Sequence, residues 1–205
     1  MSSKITGKTV VKNVSLSVIV QAISMIVGIV INLVVPKFID NYQYAYWQTF
    51  LLYMQYVGFF HFGLIDGLVL RYSQYDYDEL DKESVRSQFF LIMLIDMGIA
   101  ISMIIASFAI FDGIQRVLCI ILAVSVFSEI SYNYVLTLFQ TTNRIKQYAK
   151  FVIFYRCTYC ILLVMCICLS FDDYYWLCMA YVLADFMGVF TVGLKYNKEL
   201  LFGRM

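Results

Sequence analysis

His61-Phe-Gly-Leu-Ile-Asp-Gly-Leu-Val-Leu-Arg-Tyr72 is an apolar stretch with one carboxylate inside it and an arginine at its end. This pattern is typical of the end of a membrane helix, because the apolar run stops where a cation marks the polar boundary. Gly63 and Gly67 have a spacing that lets a second helix approach closely. Asp66 is then either a packed acid near Arg71 or a functional carboxylate inside the membrane.

The composition is that of an integral membrane protein. Of the 205 residues, 62% are hydrophobic and 14% are charged, whereas soluble domains have about 45–50% apolar and 25% charged residues. With one proline and ten glycines, the chain contains no stretch typical of a linker. We therefore predict one all-α domain over residues 1–205, a polytopic membrane helix bundle. The net charge of +1 and the lack of a contiguous basic patch argue against a nucleic-acid partner.

Six apolar segments are long enough to cross a hydrocarbon core, which takes about 20 helical residues. We expect transmembrane helices at approximately 14–35, 45–70, 88–111, 115–139, 149–171 and 174–194. The first segment follows lysines, as the apolar part of a signal peptide does. Its apolar run is too long for a signal peptide and lacks a small-residue cleavage site, so we expect it to remain as a membrane helix.

Lysine and arginine are distributed unequally between the two sides of these segments. Thirteen of the fifteen lie in the N-terminal region, the 71–88 loop, the 140–156 region and the C-terminal tail. Lys37 and Arg116 lie on the opposite side. The positive-inside rule therefore predicts a multi-pass protein of the cell (plasma or inner) membrane with both termini cytoplasmic.

Four carboxylates fall inside the predicted helices, where a charged side chain costs about 2.5–3.5 kcal/mol near the centre. They are Asp66, Asp96, Glu129 and Asp185. Such groups face protein or water rather than lipid. We hypothesise that they line a hydrated cavity, and that at least one pairs with Arg71 or Arg156 or binds a proton or sodium ion.

Polar side chains also recur at helical spacing in the first, second and fourth predicted helices. The first stripe is Ser17, Gln21, Ser24, Gly28 and Asn32, the second is Gln55 with Asp66, and the third is Ser125, Glu129, Asn133 and Gln140. Such stripes either join helices by hydrogen bonds or line a hydrated cavity. The carboxylates among them favour the cavity.

The other polar features favour structural roles. His61 is alone, so we interpret it as a packed or interfacial histidine. All six cysteines fall in apolar segments, and Cys157-x-x-Cys160 lacks a second ligand pair. We predict no metal, no disulfide and no cofactor. The acidic 71–88 segment is typical of a solvated loop or a short interfacial helix.

Several strings together resemble the N-terminal half of the bacterial polysaccharide biosynthesis membrane proteins. These are the O-antigen and capsule flippases of the multidrug/oligosaccharidyl-lipid/polysaccharide exporter superfamily. The strings are Lys12-Asn13, Val35-Pro36, Tyr44-Ala-Tyr-Trp-Gln48, Gly63-Leu-Ile-Asp-Gly-Leu-Val-Leu-Arg-Tyr72, Tyr77 and Glu79-Leu-Asp81. Ser73 departs from the pattern, in which a glycine usually follows the Arg-Tyr pair.

The resemblance implies one six-helix lobe of a two-lobe exporter. Such an exporter moves an undecaprenyl-diphosphate-linked oligosaccharide between leaflets by alternating access, without covalent chemistry. The polar residues above would then line the cavity, and Arg71 and Arg156 would be cationic anchors for the diphosphate at the cytoplasmic mouth. Two alternatives stay open: a cation-coupled small-molecule exporter, and a non-transporting membrane subunit of a polysaccharide assembly complex.

We expect a second lobe, or a second copy in a homodimer, to cover the open side of the cavity, because carboxylates exposed to lipid are unfavourable. An enzymatic role is not predicted. The string from Asp66 to Arg71 resembles the start of the CDP-alcohol phosphotransferase signature. Leu80, Ser84 and Gln88 stand where that family has a glycine and two aspartates, so the oxygen ligands for a divalent cation are missing.

The predicted orientation places Lys82 inside the cell and Asp173 outside. We expect an impermeant thiol reagent, applied to intact cells, to label a cysteine introduced at Asp173 and to leave one introduced at Lys82 unlabelled. Labelling at Lys82 without labelling at Asp173 would show that the orientation is inverted.

Overall fold

The structure, a computed structural model, describes residues 7–171 and 173–203, and these are almost entirely helical. The α-helices are α1 (Gly7–Val34), α2 (Asn41–Val57), α3 (Leu64–Tyr72), α4 (Lys82–Ile110), α5 (Gly113–Thr141), α6 (Ile145–Cys168), α7 (Tyr174–Gly188) and α8 (Leu194–Phe202). Short 3₁₀ turns cover Val35–Lys37, Gly58–His61 and Tyr77–Glu79, and a π-helical turn, Val189–Gly193, joins α7 to α8.

The predicted fold class, an all-α membrane helix bundle, is confirmed. Five helical segments in the described part of the chain are long and apolar enough to cross a membrane. They are Val11–Lys37, Lys82–Ile110, Gly113–Thr141, Ile145–Cys168 and Tyr174–Lys198. Each overlaps one of the predicted segments, so five of the six predicted crossings are continuous helices.

The second predicted crossing, 45–70, is wrong as a continuous helix. It breaks after Val57 into a 3₁₀ turn, and Phe62 and Gly63 then adopt left-handed backbone conformations with φ of 48° and 76°. Two consecutive left-handed residues cannot continue a right-handed helix. Gly63 adopts this conformation without a Cβ clash, and α3 restarts at Leu64.

Contacts between turns and the end regions of helices define two ends of the bundle. At one end, here named the basic end, Asn13 donates to Asn143 at 3.0 Å and the Tyr77 hydroxyl lies 3.5 Å from the Tyr196 carbonyl oxygen. This end gathers the regions that are rich in lysine and arginine. Within the described ranges the chain runs between the two ends six times, and the broken α2–α3 pair makes the second pass.

At the opposite end, here named the aromatic end, Tyr174 at the start of α7 contacts the first turns of α2 and α5. Its backbone N–H donates to Gln43 Oε1 at 3.0 Å, and its hydroxyl donates to the Ile114 carbonyl at 3.2 Å. Its ring lies 5.3 Å from that of Tyr46. Tyrosine rings at this end suit a membrane interface, where an apolar ring and a polar hydroxyl are both accommodated.

Helices α5 and α7 form the centre of the bundle, whereas α1 lies at its edge. In the most apolar 18-residue stretch of each span, 44% of the residues are buried for α5, 50% for the span that begins with α7, and 11% for α1. Helix α5 packs against α4 and α7, and α1 packs against α6. The exposed aliphatic side chains of α1 and α4 therefore provide the surface suited to lipid.

Arg144, in the turn between α5 and α6, links this turn to α8 and to Tyr77 at the basic end. It donates to the Tyr196 carbonyl at 3.0 Å, to Asn197 Oδ1, and to Thr142 Oγ1 at 2.9 Å. Its guanidinium lies 3.9 Å from the ring centroid of Tyr77. Burial lowers the pKa of Arg144 to about 10, so the side chain remains charged at neutral pH.

We expect Arg144→Met to destabilise the protein, because it leaves the buried Asn197 Oδ1 without its Arg144 donor and leaves the Tyr196 carbonyl with the Tyr77 hydroxyl at 3.5 Å. The cost of such a loss is about 1–3 kcal/mol, which lowers Tm by roughly 3–10 °C in a chain of this size. Thermal unfolding of the detergent-solubilised protein, followed with a thiol-reactive dye on its free cysteines, measures the shift. Lys146→Met, at an exposed position of α6, is the matched control. Equal Tm values for the two variants would contradict the role given to Arg144.

Candidate functional site

A group of polar side chains lies between α5, α6 and α7, about half-way along each of these passes. We name it the polar cluster. Its members are Ser128, Glu129 and Asn133 of α5, Arg156 of α6, and Tyr181 and Asp185 of α7. Because a helix rises about 1.5 Å per residue, these positions lie well away from both ends of the bundle.

Glu129 is held on both carboxylate oxygens. Oε1 accepts a hydrogen bond from Asn133 Nδ2 at 3.0 Å, and Oε2 accepts one from the Tyr181 hydroxyl at 2.9 Å. Asn133 follows Glu129 by four residues and therefore lies on the same face of α5. Tyr181 reaches the carboxylate because α5 and α7 are packed neighbours.

Asp185 is fully buried, at 0% exposure. Its Oδ2 accepts a hydrogen bond from Ser128 Oγ at 3.2 Å, whereas Oδ1 has no hydrogen-bond partner among the described residues. Asp185 and Glu129 are neighbours, because Ser128, the partner of Asp185, directly precedes Glu129 on α5, and Tyr181, the partner of Glu129, lies one turn before Asp185 on α7. Two carboxyl groups therefore lie at one level of the bundle, at the contact between α5 and α7.

Arg156 supplies the opposite charge. Its guanidinium interacts electrostatically with both carboxyl groups and lies 5.3 Å from the ring centroid of Tyr155. Its Nε is buried and has no acceptor in the described part of the chain. The resemblance places this arginine at the cytoplasmic mouth. In the structure, Arg156 lies roughly three turns into α6.

Tyrosine rings surround the polar cluster. The ring of Tyr155 lies 4.8 Å from Tyr132 and 6.2 Å from Tyr159, and Tyr159 lies 5.5 Å from Tyr181. None of these rings was among the predicted site residues, nor was Ser128. A sequence signal exists for one pair, because Tyr155 and Tyr159 are four residues apart on α6 beside Arg156.

Asp96 lies on α4, a helix that contributes no member to the polar cluster. It is fully buried in α4, and neither carboxylate oxygen has a hydrogen-bond partner among the described residues. Of the four predicted intramembrane acids, the structure therefore brings two together and leaves Asp96 separate.

Asp66 and Arg71 lie on α3, towards the basic end, and both are exposed. They form no ion pair with each other, and the Arg71 guanidinium lies 5.4 Å from the Tyr72 ring centroid. The predicted shared face of Gln55 and Asp66 is wrong, because the break after α2 separates them.

The two glycines beside Asp66 do not form the predicted helix-packing motif. Gly63 is the N-cap residue of α3 and has a left-handed conformation, so it does not lie within a helix. At Gly67, a Cβ would lie 3.7 Å from Gln88 Nε2 of α4. Gln88 itself donates to the Leu64 carbonyl at 2.9 Å, so this contact attaches α3 to α4. The close approach at Gly67 is therefore to a side chain, not to another helix backbone.

The polar stripe of α1 joins helices at two points. Gln21 Nε2 donates to the Tyr148 hydroxyl of α6 at 3.0 Å, and Gln48 Nε2 of α2 donates to Asn32 Oδ1 at 3.0 Å. Of the two alternatives for this stripe, hydrogen bonding between helices accounts for these members. Gln21 and Asn32 both keep exposed surface, which in a membrane faces water or another protein surface rather than lipid.

In the third stripe, Ser125 is fully buried and its hydroxyl donates a hydrogen bond to the Ile121 carbonyl, whereas Gln140 is exposed. All six cysteines are free. His61 Nδ1 accepts from the Gly63 backbone N–H. Among the described residues, no three His, Cys, Asp or Glu side chains come together as a potential metal site.

Because Glu129 and Asp185 are neighbours in the polar cluster, through Ser128 and Tyr181, we expect their neutralising substitutions to be non-additive. Glu129→Gln and Asp185→Asn, alone and together, should show an interaction free energy of about 0.5–3 kcal/mol in unfolding by SDS titration in mixed micelles. Glu129→Gln combined with Asp96→Asn is the matched control and should be additive within about 0.5 kcal/mol. Additivity of the first pair, or coupling of the second, would contradict the arrangement of these acids.

Comparison with known proteins identifies no relative of this chain: no family model, no curated protein and no solved structure matches it. A functional interpretation therefore depends on the chain's own residues and on the geometry of the polar cluster.

Proposed function

We propose that this membrane protein is one lobe of a transporter, and that its polar cluster changes charge during the transport cycle. The observation that carries the proposal is the placement of Glu129, Asp185 and Arg156 on the three packed helices α5, α7 and α6, at mid-depth in an apolar bundle. Buried ionic groups rarely improve stability over apolar side chains of similar volume. Inside membrane proteins, such groups are typical of ion and substrate pathways.

The charge balance of the cluster gives the proposal its mechanism. When one proton is bound to the Glu129–Asp185 pair, the negative charge of the remaining carboxylate and the positive charge of Arg156 cancel. Loss of the proton leaves a net negative charge, which attracts a cation and repels an anion. Addition of a second proton leaves Arg156 without a counter-ion, and the guanidinium is then available to a phosphate group. Proton binding can therefore switch the site from a state that binds cations to a state that binds anions.

The transported molecule that we propose is an undecaprenyl-diphosphate-linked oligosaccharide. Support comes from the sequence resemblance around Gly63–Tyr72 and from the need of a diphosphate for a cationic partner away from water. The role involves flipping between leaflets and no covalent chemistry. A second lobe or a second copy of the chain would cover the exposed polar side chains, Gln21 and Gln55 among them.

A cation-coupled exporter of small molecules is the second candidate. The observation that favours it is the unpaired Oδ1 of the buried Asp185, an acceptor available to a cation. A non-transporting subunit of a polysaccharide assembly complex is the third, and for this candidate the charges of the polar cluster would have no functional consequence.

The test replaces the native gene in its own host with the double variant Glu129→Gln, Asp185→Asn, and separately with Arg156→Gln. We expect each to lower surface polysaccharide at least about tenfold at unchanged protein level, since one lost charged contact contributes roughly 1.5–3 kcal/mol. Asp112→Asn and Arg116→Gln, an exposed ion pair away from the polar cluster, are the matched controls.

The outcomes separate the three candidates. Loss of small-molecule efflux with normal polysaccharide would favour the cation-coupled exporter. Normal polysaccharide and normal efflux in all variants would exclude a transport role for the polar cluster and leave the subunit interpretation.

A further inference from the structure

A groove opens at the basic end of the bundle, between the end of α3 and the start of α4. It has a volume of 430 Å³, within the range of about 300–1,000 Å³ that is usual for small-ligand sites. Its lining includes one cation, two carboxylates, two tyrosine rings and one aliphatic side chain. These are Arg71, Glu79, Asp81, Tyr72, Tyr75 and Leu70. The polar cluster contributes no residue to it.

The cation of the groove is available to a ligand. Arg71 is exposed and forms no ion pair with a described residue, although Glu79 and Asp81 line the same groove. Its contact in the structure is with the Tyr72 ring, at 5.4 Å. A guanidinium presents a planar set of donors that matches two oxygens of a phosphate group.

The carboxylates of the groove each retain a free oxygen. Asp81 caps α4 through Oδ1 alone, which accepts from the backbone N–H groups of Glu83 and Ser84 at 3.2 Å each. Glu79 uses Oε2 to accept from the Asp76 backbone N–H at 3.4 Å. Asp81 Oδ2 and Glu79 Oε1 therefore remain as acceptors. Tyr75, 45% exposed, adds an aromatic face that attracts cations.

An apolar side chain extends the groove towards the membrane. Leu70 is 83% exposed, next to Arg71, on a helix that runs from the bundle interior to the basic end. An exposed leucine beside an exposed arginine at the boundary of a membrane bundle suits a molecule with an acyl chain and a polar headgroup.

We propose that this groove binds the headgroup of a zwitterionic phospholipid that carries a primary ammonium, such as phosphatidylethanolamine. Arg71 binds the phosphate, Glu79 and Asp81 with the Tyr75 ring bind the ammonium, and Leu70 contacts the acyl chain. A purely anionic headgroup would leave Arg71 as the one cation among the described residues of the groove's lining beside three negative charges, those of the phosphate, Glu79 and Asp81. The inference does not depend on the transport role proposed for the polar cluster.

The test is native mass spectrometry of the full chain released from detergent with defined lipids added. We expect the wild type to retain phosphatidylethanolamine about tenfold better than phosphatidylglycerol, which lacks the ammonium. Arg71→Gln should lower retention of phosphatidylethanolamine by a similar factor, and Glu79→Gln should remove the preference between the two lipids. Arg116→Gln, at the aromatic end, is the matched control. It should retain phosphatidylethanolamine as well as the wild type does and keep the preference for this lipid over phosphatidylglycerol.

Soluble competitors separate a headgroup site from a phosphate site. Glycerophosphoethanolamine should displace the lipid at concentrations where inorganic phosphate does not. Equal competition by inorganic phosphate, equal retention of both lipids by the wild type, or unchanged retention in Arg71→Gln would each overturn the proposal. Circular dichroism and Tm of Arg71→Gln establish that the variant is folded, which its exposed position leads us to expect.

Discussion

The structure depends on one physical constraint: polar and charged groups inside an apolar bundle must find partners within the protein or water. The Glu129–Asp185 pair meets this constraint with Ser128, Asn133 and Tyr181 as donors and Arg156 as counter-charge. The central position of α5 and α7 follows from it, because these two helices carry both carboxyl groups. Helix α1, which carries no charged side chain in its membrane segment, can lie at the edge.

Much of the fold could be predicted from the sequence, because long apolar runs bounded by basic residues leave few alternatives to membrane helices. The break between α2 and α3 could not be predicted from hydropathy, since Phe59, Phe60 and Phe62 keep the run apolar through the turn. The available signal was Gly63, which permits the positive φ observed there. Once the helix breaks, spacing no longer relates Gln55 to Asp66, and the inferred shared face disappears.

The candidate site was predicted in part. An acid in an apolar run is expected to be buried, and this reasoning selected Asp66, Asp96, Glu129 and Asp185 equally, although Asp66 is exposed. Which of them meet depends on the packing of α5 against α7, a contact between helices that are not consecutive in the chain. A helical period gives the face of each helix but not its neighbour. The tyrosines around the polar cluster were missed for the same reason, because aromatic residues are common in membrane helices whatever their role.

The central claim of the proposed function is that Glu129 and Asp185 hold one proton between them inside the bundle. Infrared spectroscopy of the chain in lipid, in the Asp96→Asn background, measures this directly through the carbonyl band of a protonated carboxyl group. We predict that the band is present near neutral pH, and that Asp185→Asn removes it because the remaining Glu129 then faces Arg156 alone. A spectrum without the band before that substitution, or with the same band after it, would contradict the claim.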